Sequence, residues 1–190
     1  MWAEVVRIAV ALFVIMDPFG SIPLFLLATK GTKKASEAAT YAVLVAATVF
    51  FFFLFFGNPL FRVLNVELTS LQIGGGIVLA VLAMELVLGR GYGKIAPRGS
   101  AALSLIGTPM LTGPGVIAST VIFVRSYGHL LTFLASIPVL LSGWLILRLS
   151  VLIHRVLGEE GIEITSRVMG LLLMTIAVDL VMDGLRSALS

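Results

Sequence analysis

Apolar stretches of near-constant length, broken by short polar connectors, dominate this chain. Their lengths match the ~20 residues that carry a helix across ~30 Å of hydrocarbon. The pattern predicts six transmembrane helices: Val5 to Leu27, then roughly 38 to 57, 68 to 88, 101 to 124, 130 to 149 and 167 to 185. The first stretch reads as a true span and not as a cleaved leader, because it is long and no small-residue cleavage site follows it. The fold class expected is an all-α polytopic membrane protein, one transmembrane domain over residues 1–190.

Two of these runs are interrupted in the same way. Asp17-Pro18-Phe19-Gly20-Ser21-Ile22-Pro23 and Thr108-Pro109-Met110-Leu111-Thr112-Gly113-Pro114 hold prolines in one P-x4-P frame, 91 positions apart. Proline removes a backbone donor and clashes with the preceding turn, so the first and fourth helices should be discontinuous. Irregular backbone at membrane depth survives only where protein or a water-filled cavity surrounds it. Matched interruptions in two halves of a chain therefore point to a transport site.

Other segments repeat as well. Val66-Glu67-Leu68-Thr69-Ser70 leads into the third span as Ile162-Glu163-Ile164-Thr165-Ser166 leads into the sixth, with Arg62-Val63-Leu64 and Arg155-Val156-Leu157 ahead of them. The halves run about 1–92 and about 98–190. Three spans per half is an odd number, so the halves should be inverted repeats about an axis in the membrane plane.

Composition closes off other classes. Hydrophobic residues make up 59% and charged residues 12%, with a mean hydropathy of +1.11, which excludes a soluble domain of this size. The net charge of +3 comes from basic residues in short loops, which argues against a nucleic-acid partner and for the lipid bilayer. Lys30, Lys33, Lys34, Arg90, Lys94, Arg98, Arg148, Arg155 and Arg167 fall on one face, and Arg7, Arg62, Arg125 and Arg186 on the other. Basic loops stay in the cytoplasm, so both termini should face outward. Cysteine is absent, and no metalloprotease or Gly-x-Ser-x-Gly motif occurs, so neither an enzyme nor a metal site is expected.

The interruptions suggest their own chemistry. Ser21 and Thr112 each stand two positions before the second proline, suited to cap a half-helix with proline in its first turn. Each half-helix would then aim free N–H groups at a substrate carboxylate, while freed carbonyls and Asp17 receive an ammonium group. Gly20, Gly113 and Gly115 would let backbone approach the ligand. The substrate-binding set is Asp17, Pro18, Gly20, Ser21, Pro23, Thr108, Pro109, Thr112, Gly113, Pro114 and Gly115. The implied partner is a small zwitterion.

Acidic residues in hydrocarbon are functional by default. Asp179 and Asp183 lie four apart on the sixth helix, Asp179 the deeper, so Asp179 and Asp17 are the candidates for a coupling ion. Proton and sodium coupling both stay open, and no cofactor is expected. Asp183 and Glu85 sit toward helix ends, where a snorkelling role suffices. Gly74, Gly75 and Gly76 favour close helix packing. The Phe50 to Phe56 run reads as a lipid-facing or packing surface, and Trp2, Trp144, Tyr92, Tyr127, His129 and His154 as interfacial.

The Asp17 to Phe25 segment, Pro109 to Ile117 and Leu71-Gln72-Ile73-Gly74-Gly75-Gly76 resemble the MarC family of bacterial and archaeal membrane proteins, over nearly the whole chain. The resemblance implies six spans and secondary transport of small neutral amino acids such as glycine and alanine at the cell membrane. Other members are named for a multiple-antibiotic-resistance locus, so export of another small solute or a passive channel is the alternative. Ser21 stands where the family pattern usually has Asn, which puts a side-chain amide contact there in doubt.

Overall fold

The computed structural model describes residues 2–29, 35–89 and 111–189. Over these the chain is helical without strands: α1 (Trp2–Met16), α2 (Ile22–Ala28), α3 (Ala35–Val63), α4 (Leu68–Val87), α5 (Pro114–Tyr127), α6 (His129–Arg148) and α7 (Ser150–Leu189). Four of them, α3, α4, α6 and α7, are long and apolar enough to cross a membrane. The first expected span is divided into α1 and α2, as its prolines require. Of the fourth, only the part after the interruption, α5, falls within the described residues.

Element ends differ from expectation where local chemistry outweighs hydropathy. Helix α3 runs on through Pro59 to Val63, because the proline falls in its last turns, where it removes one bond and the helix is ending anyway. Asn65 then adopts a left-handed φ of 52°, and the Val66 N–H donates back to the Phe61 carbonyl at 2.9 Å. This closes the helix and reverses the chain within three residues. Helix α7 contains a break at Gly158, with φ 69° and ψ −178°, a conformation suited to glycine. The sixth span therefore begins well before residue 167.

Interiors here are made by small residues. Helices α4 and α7 form the most extensive pairing. A Cβ on Gly76 would meet Val181 Cγ2 at 2.7 Å and the Ala177 carbonyl at 2.8 Å, one on Gly170 would meet Leu86 and Ala83, and one on Gly184 would meet Ile73 and Thr69. As α4 ascends α7 descends, so the two are antiparallel. Close approach through glycine is how helices associate in a solvent as apolar as their own side chains. Gly75 faces α5, its added Cβ 2.8 Å from Ala118, whereas Gly74 is exposed with nothing near. Of the three glycines expected to serve packing, two do.

That difference yields a paired test. Gly76→Ala should destabilise the protein by about 1–3 kcal/mol through overpacking. Gly74→Ala should leave it unchanged or more stable by about 0.5–1 kcal/mol. Thermal unfolding in one detergent compares them directly.

The remaining contacts place α1 on α6, α3 on both α5 and α6, α5 on α4, and α1 and α2 on α7. Trp144 on α6 donates its indole N–H to Thr40 Oγ1 on α3 at 3.0 Å, and the Arg148 guanidinium lies over the same ring at 4.9 Å. In the phenylalanine run, Phe50 is buried while Phe52, Phe55 and Phe56 are exposed, which gives α3 one packed and one lipid-facing side.

Candidate functional site

The first interruption starts at Pro18. With no N–H, Pro18 cannot complete the helical bond to the Val14 carbonyl. Asp17 donates its own N–H to the Phe13 carbonyl at 3.1 Å, then turns the chain with a φ of 37°. Aspartate is among the few side chains that tolerate this left-handed region. Its Oδ1 accepts the Gly20 N–H at 3.1 Å, so that donor is directed away from the Met16 carbonyl. Its carbonyl accepts both the Ser21 N–H at 3.3 Å and the Ser21 hydroxyl at 3.2 Å. The Ile22 N–H goes to Phe19.

This geometry corrects the expectation that the first break is capped by a hydroxyl and open to an anion. Ser21 does occupy the cap position of α2, but with helical φ and ψ and no side-chain bond to the helix N–H groups. Its hydroxyl turns backward because the Asp17 carbonyl is the nearer acceptor. Most donors at the first break are thus already used, and α2 is only seven residues long. What remains open is acceptor chemistry at Asp17 Oδ2, a buried carboxylate oxygen with no hydrogen-bond partner. Pro23, in the first turn of α2, is exposed.

The second interruption is described only from Leu111 onward. Helix α5 is capped by Gly113 in extended conformation, φ −64° and ψ 174°, with Pro114 in the first turn and no side-chain cap. Thr112 stands one residue outside the cap position, a further correction, because Gly113 takes the extended conformation that a cap requires. The N–H groups of Gly115 and Val116 have no intrahelical acceptor, and no side chain caps them. Leu111, Thr112, Gly113, Gly115 and Val116 are buried. Thr108 and Pro109, expected at this site, lie outside the described residues.

The two interruptions share one cleft. Met16 and Pro18 line it from the first and Leu111 from the second, with Val43 and Ala46 of α3 and Val139, Leu140 and Gly143 of α6. It is nearly wholly apolar and holds about 10 Å³, the room one water molecule needs.

Glycines at the breaks serve packing more than ligand approach. A Cβ on Gly20 would overlap Asp17 Oδ2 and stand 2.9 Å from Cγ, and one on Gly115 would overlap Leu79 of α4. Gly113 is buried at the cap of α5.

Asp179 departs from expectation. The inward stripe of α7 is Leu173, Ala177, Leu180 and Gly184, whereas Asp179 and Asp183 are exposed. At 3.6 residues per turn Asp179 sits roughly a third of a turn from that stripe. Asp17 is therefore the buried acid. Depth along a helix was legible in the run lengths; direction around it was not, because an apolar helix in lipid has no polar face to mark the outside.

Comparison with known proteins agrees with the motifs. The chain is similar to a UPF0056 membrane protein of Aquifex aeolicus, 33% identical with 97% of this chain and 93% of that one aligned. It is likewise similar to the UPF0056 inner membrane protein YhgN of Escherichia coli, 31% identical with 96% of each covered. No solved structure matches it. The family model described as MarC family integral membrane protein matches residues 2–189, so the chain belongs to the MarC family of integral membrane proteins.

Proposed function

We propose that this protein is a secondary carrier of small neutral amino acids, glycine and alanine foremost, and not an enzyme. One observation carries the reading: Met16 and Pro18 of the first interruption and Leu111 of the second line the same apolar cleft. The first break offers an acceptor, the buried Asp17 Oδ2 that has no hydrogen-bond partner. Donors gather at the second, where α5 begins without a side-chain cap. A zwitterion would place its ammonium at the first and its carboxylate at the second, where the α5 N-terminus also favours negative charge. The cleft between them is apolar and in this conformation has room for about one water, so binding of the amino acid would widen it.

Helix pairings support an inverted-repeat carrier of six spans. The contact of α2 with α7 has its counterpart in α5 with α4, and that of α2 with α6 in α5 with α3. The α4–α7 and α3–α6 pairings map onto themselves. These pairings support halves related by exchange, as alternating access around a fixed site would use. The inner membrane, named for the Escherichia coli relative, is the proposed location, with a proton or sodium gradient as the driving force.

The test is labelled glycine uptake into vesicles of purified protein, with pH and sodium gradients imposed separately. Saturable uptake that shows counterflow and responds to one gradient is expected. Unitary currents without counterflow would establish a channel instead.

A further inference from the structure

Away from the cleft, at the membrane face where α3 and α5 end, lies a polar cavity of about 400 Å³ lined by Asn58, Arg62, Val66, Val124 and Arg125. It is large enough for a phosphate group with its first waters. Packing and hydrogen bonds hold its walls in place. Gly57 brings α3 against Val121 of α5, where an added Cβ would stand 2.5 Å from Val121 Cγ2. One turn further along α5, the half-buried Arg125 donates its Nε–H to Asn58 Oδ1 at 2.7 Å. A longer contact of 3.5 Å runs from Arg125 Nη2 to the Val66 carbonyl. The guanidinium is thereby held in one orientation, and most of its five N–H groups stay uncommitted.

No carboxylate lines the cavity, and neither arginine is ion-paired among the described residues. The acid nearest in sequence, Glu67, accepts the Thr69 hydroxyl. Two cations and the Asn58 amide N–H groups therefore converge with nothing negative between them. Such planar donors suit phosphate oxygens. The surroundings are amphipathic: Phe56, Leu60, Val63 and Leu64 are exposed, Val63 at 81%, and offer an apolar surface beside the polar one.

We propose that Arg62, Arg125 and Asn58 form a binding site for the phosphate of an anionic phospholipid, whose acyl chains lie along the exposed residues at the end of α3. Basic pockets between membrane helices bind such headgroups by the same chemistry. The site stands apart from transport and would anchor the α3–α5 crossing.

The test uses the full chain in a neutral detergent, with thermal unfolding followed as phosphatidylglycerol, phosphatidylcholine or inorganic phosphate is titrated in. Phosphatidylglycerol is expected to raise the unfolding temperature at concentrations where phosphatidylcholine does not. Arg62→Gln should weaken that response about tenfold, the loss of one charge-assisted contact. Arg125→Gln should weaken it further. Since Arg125 also ties α3 to α5, the exposed Arg62 is the cleaner variant. An equal response to inorganic phosphate assigns the cavity to a soluble anion and overturns the lipid assignment. No response to either, or a phosphatidylglycerol response undiminished in Arg62→Gln, overturns the site.

Discussion

Asp17→Asn protein is expected to bind glycine about ten- to a hundredfold more weakly while keeping its fold. The carboxylate has two separable jobs. Oδ1 accepts the Gly20 N–H and shapes the turn, and an asparagine amide oxygen does the same. Asparagine also tolerates the left-handed φ of 37° at this position. Oδ2 is buried without a partner, and substitution replaces it by an amide nitrogen that repels an ammonium group. Loss of a hydrogen bond to a charged partner, with the ligand's charge left unmatched, is worth about 1.5–3 kcal/mol, hence the range given. Isothermal titration with glycine, beside an unfolding curve for each protein, separates the roles. Unchanged affinity would reduce Asp17 to a turn-forming residue.

Gly20→Ala should be more damaging still and abolish measurable glycine binding. The new methyl group would occupy the place of Asp17 Oδ2, so the carboxylate must swing away and release the Gly20 N–H. A buried donor then loses its acceptor, at about 1–3 kcal/mol, and the carbonyls at the end of α1 lose the geometry that opposes them to α5. Size-exclusion chromatography should show a monodisperse protein, because the break is short and α1 and α2 retain their own contacts. Bulky replacement of Gly113, buried at the cap of α5, should act alike from the other side of the cleft. Wild-type affinity in both variants would remove the proposed site. If Gly20→Ala fails to fold, Asp17→Asn still decides the question.

Much of the architecture was legible because membrane helices report themselves in run length. The apolar stretches locate α3, α4, α6 and the last part of α7, and Pro18 forecasts the separation of α1 from α2. Cap chemistry was less legible. Ser21 and Thr112 have the residue types of helix caps, yet a hydroxyl bonds whichever acceptor or donor the fold brings nearest, and for Ser21 that is the Asp17 carbonyl. The shared proline frame suggested two equivalent anion sites. Instead the first break spends its Gly20 and Ser21 donors on Asp17, whereas α5 begins at Gly113 with no side-chain cap.

What the amino-acid order determined alone is therefore the membrane-length helices α3, α4, α6 and α7, the break after Met16 and the small residues on which helices pack, since each follows from local chain chemistry and hydropathy. Which acid is buried, which glycine faces a neighbour and which polar groups stay unpaired were decided only by tertiary structure. Asp17 and Asp179 are equally acidic in the sequence, and Gly74 and Gly76 equally small. Only the packing of α7 on α4, and of both breaks on one cleft, turns one member of each pair inward and the other toward lipid. Direction around a helix is a property of its neighbours, and in an apolar solvent no contrast between a polar and an apolar side announces it beforehand.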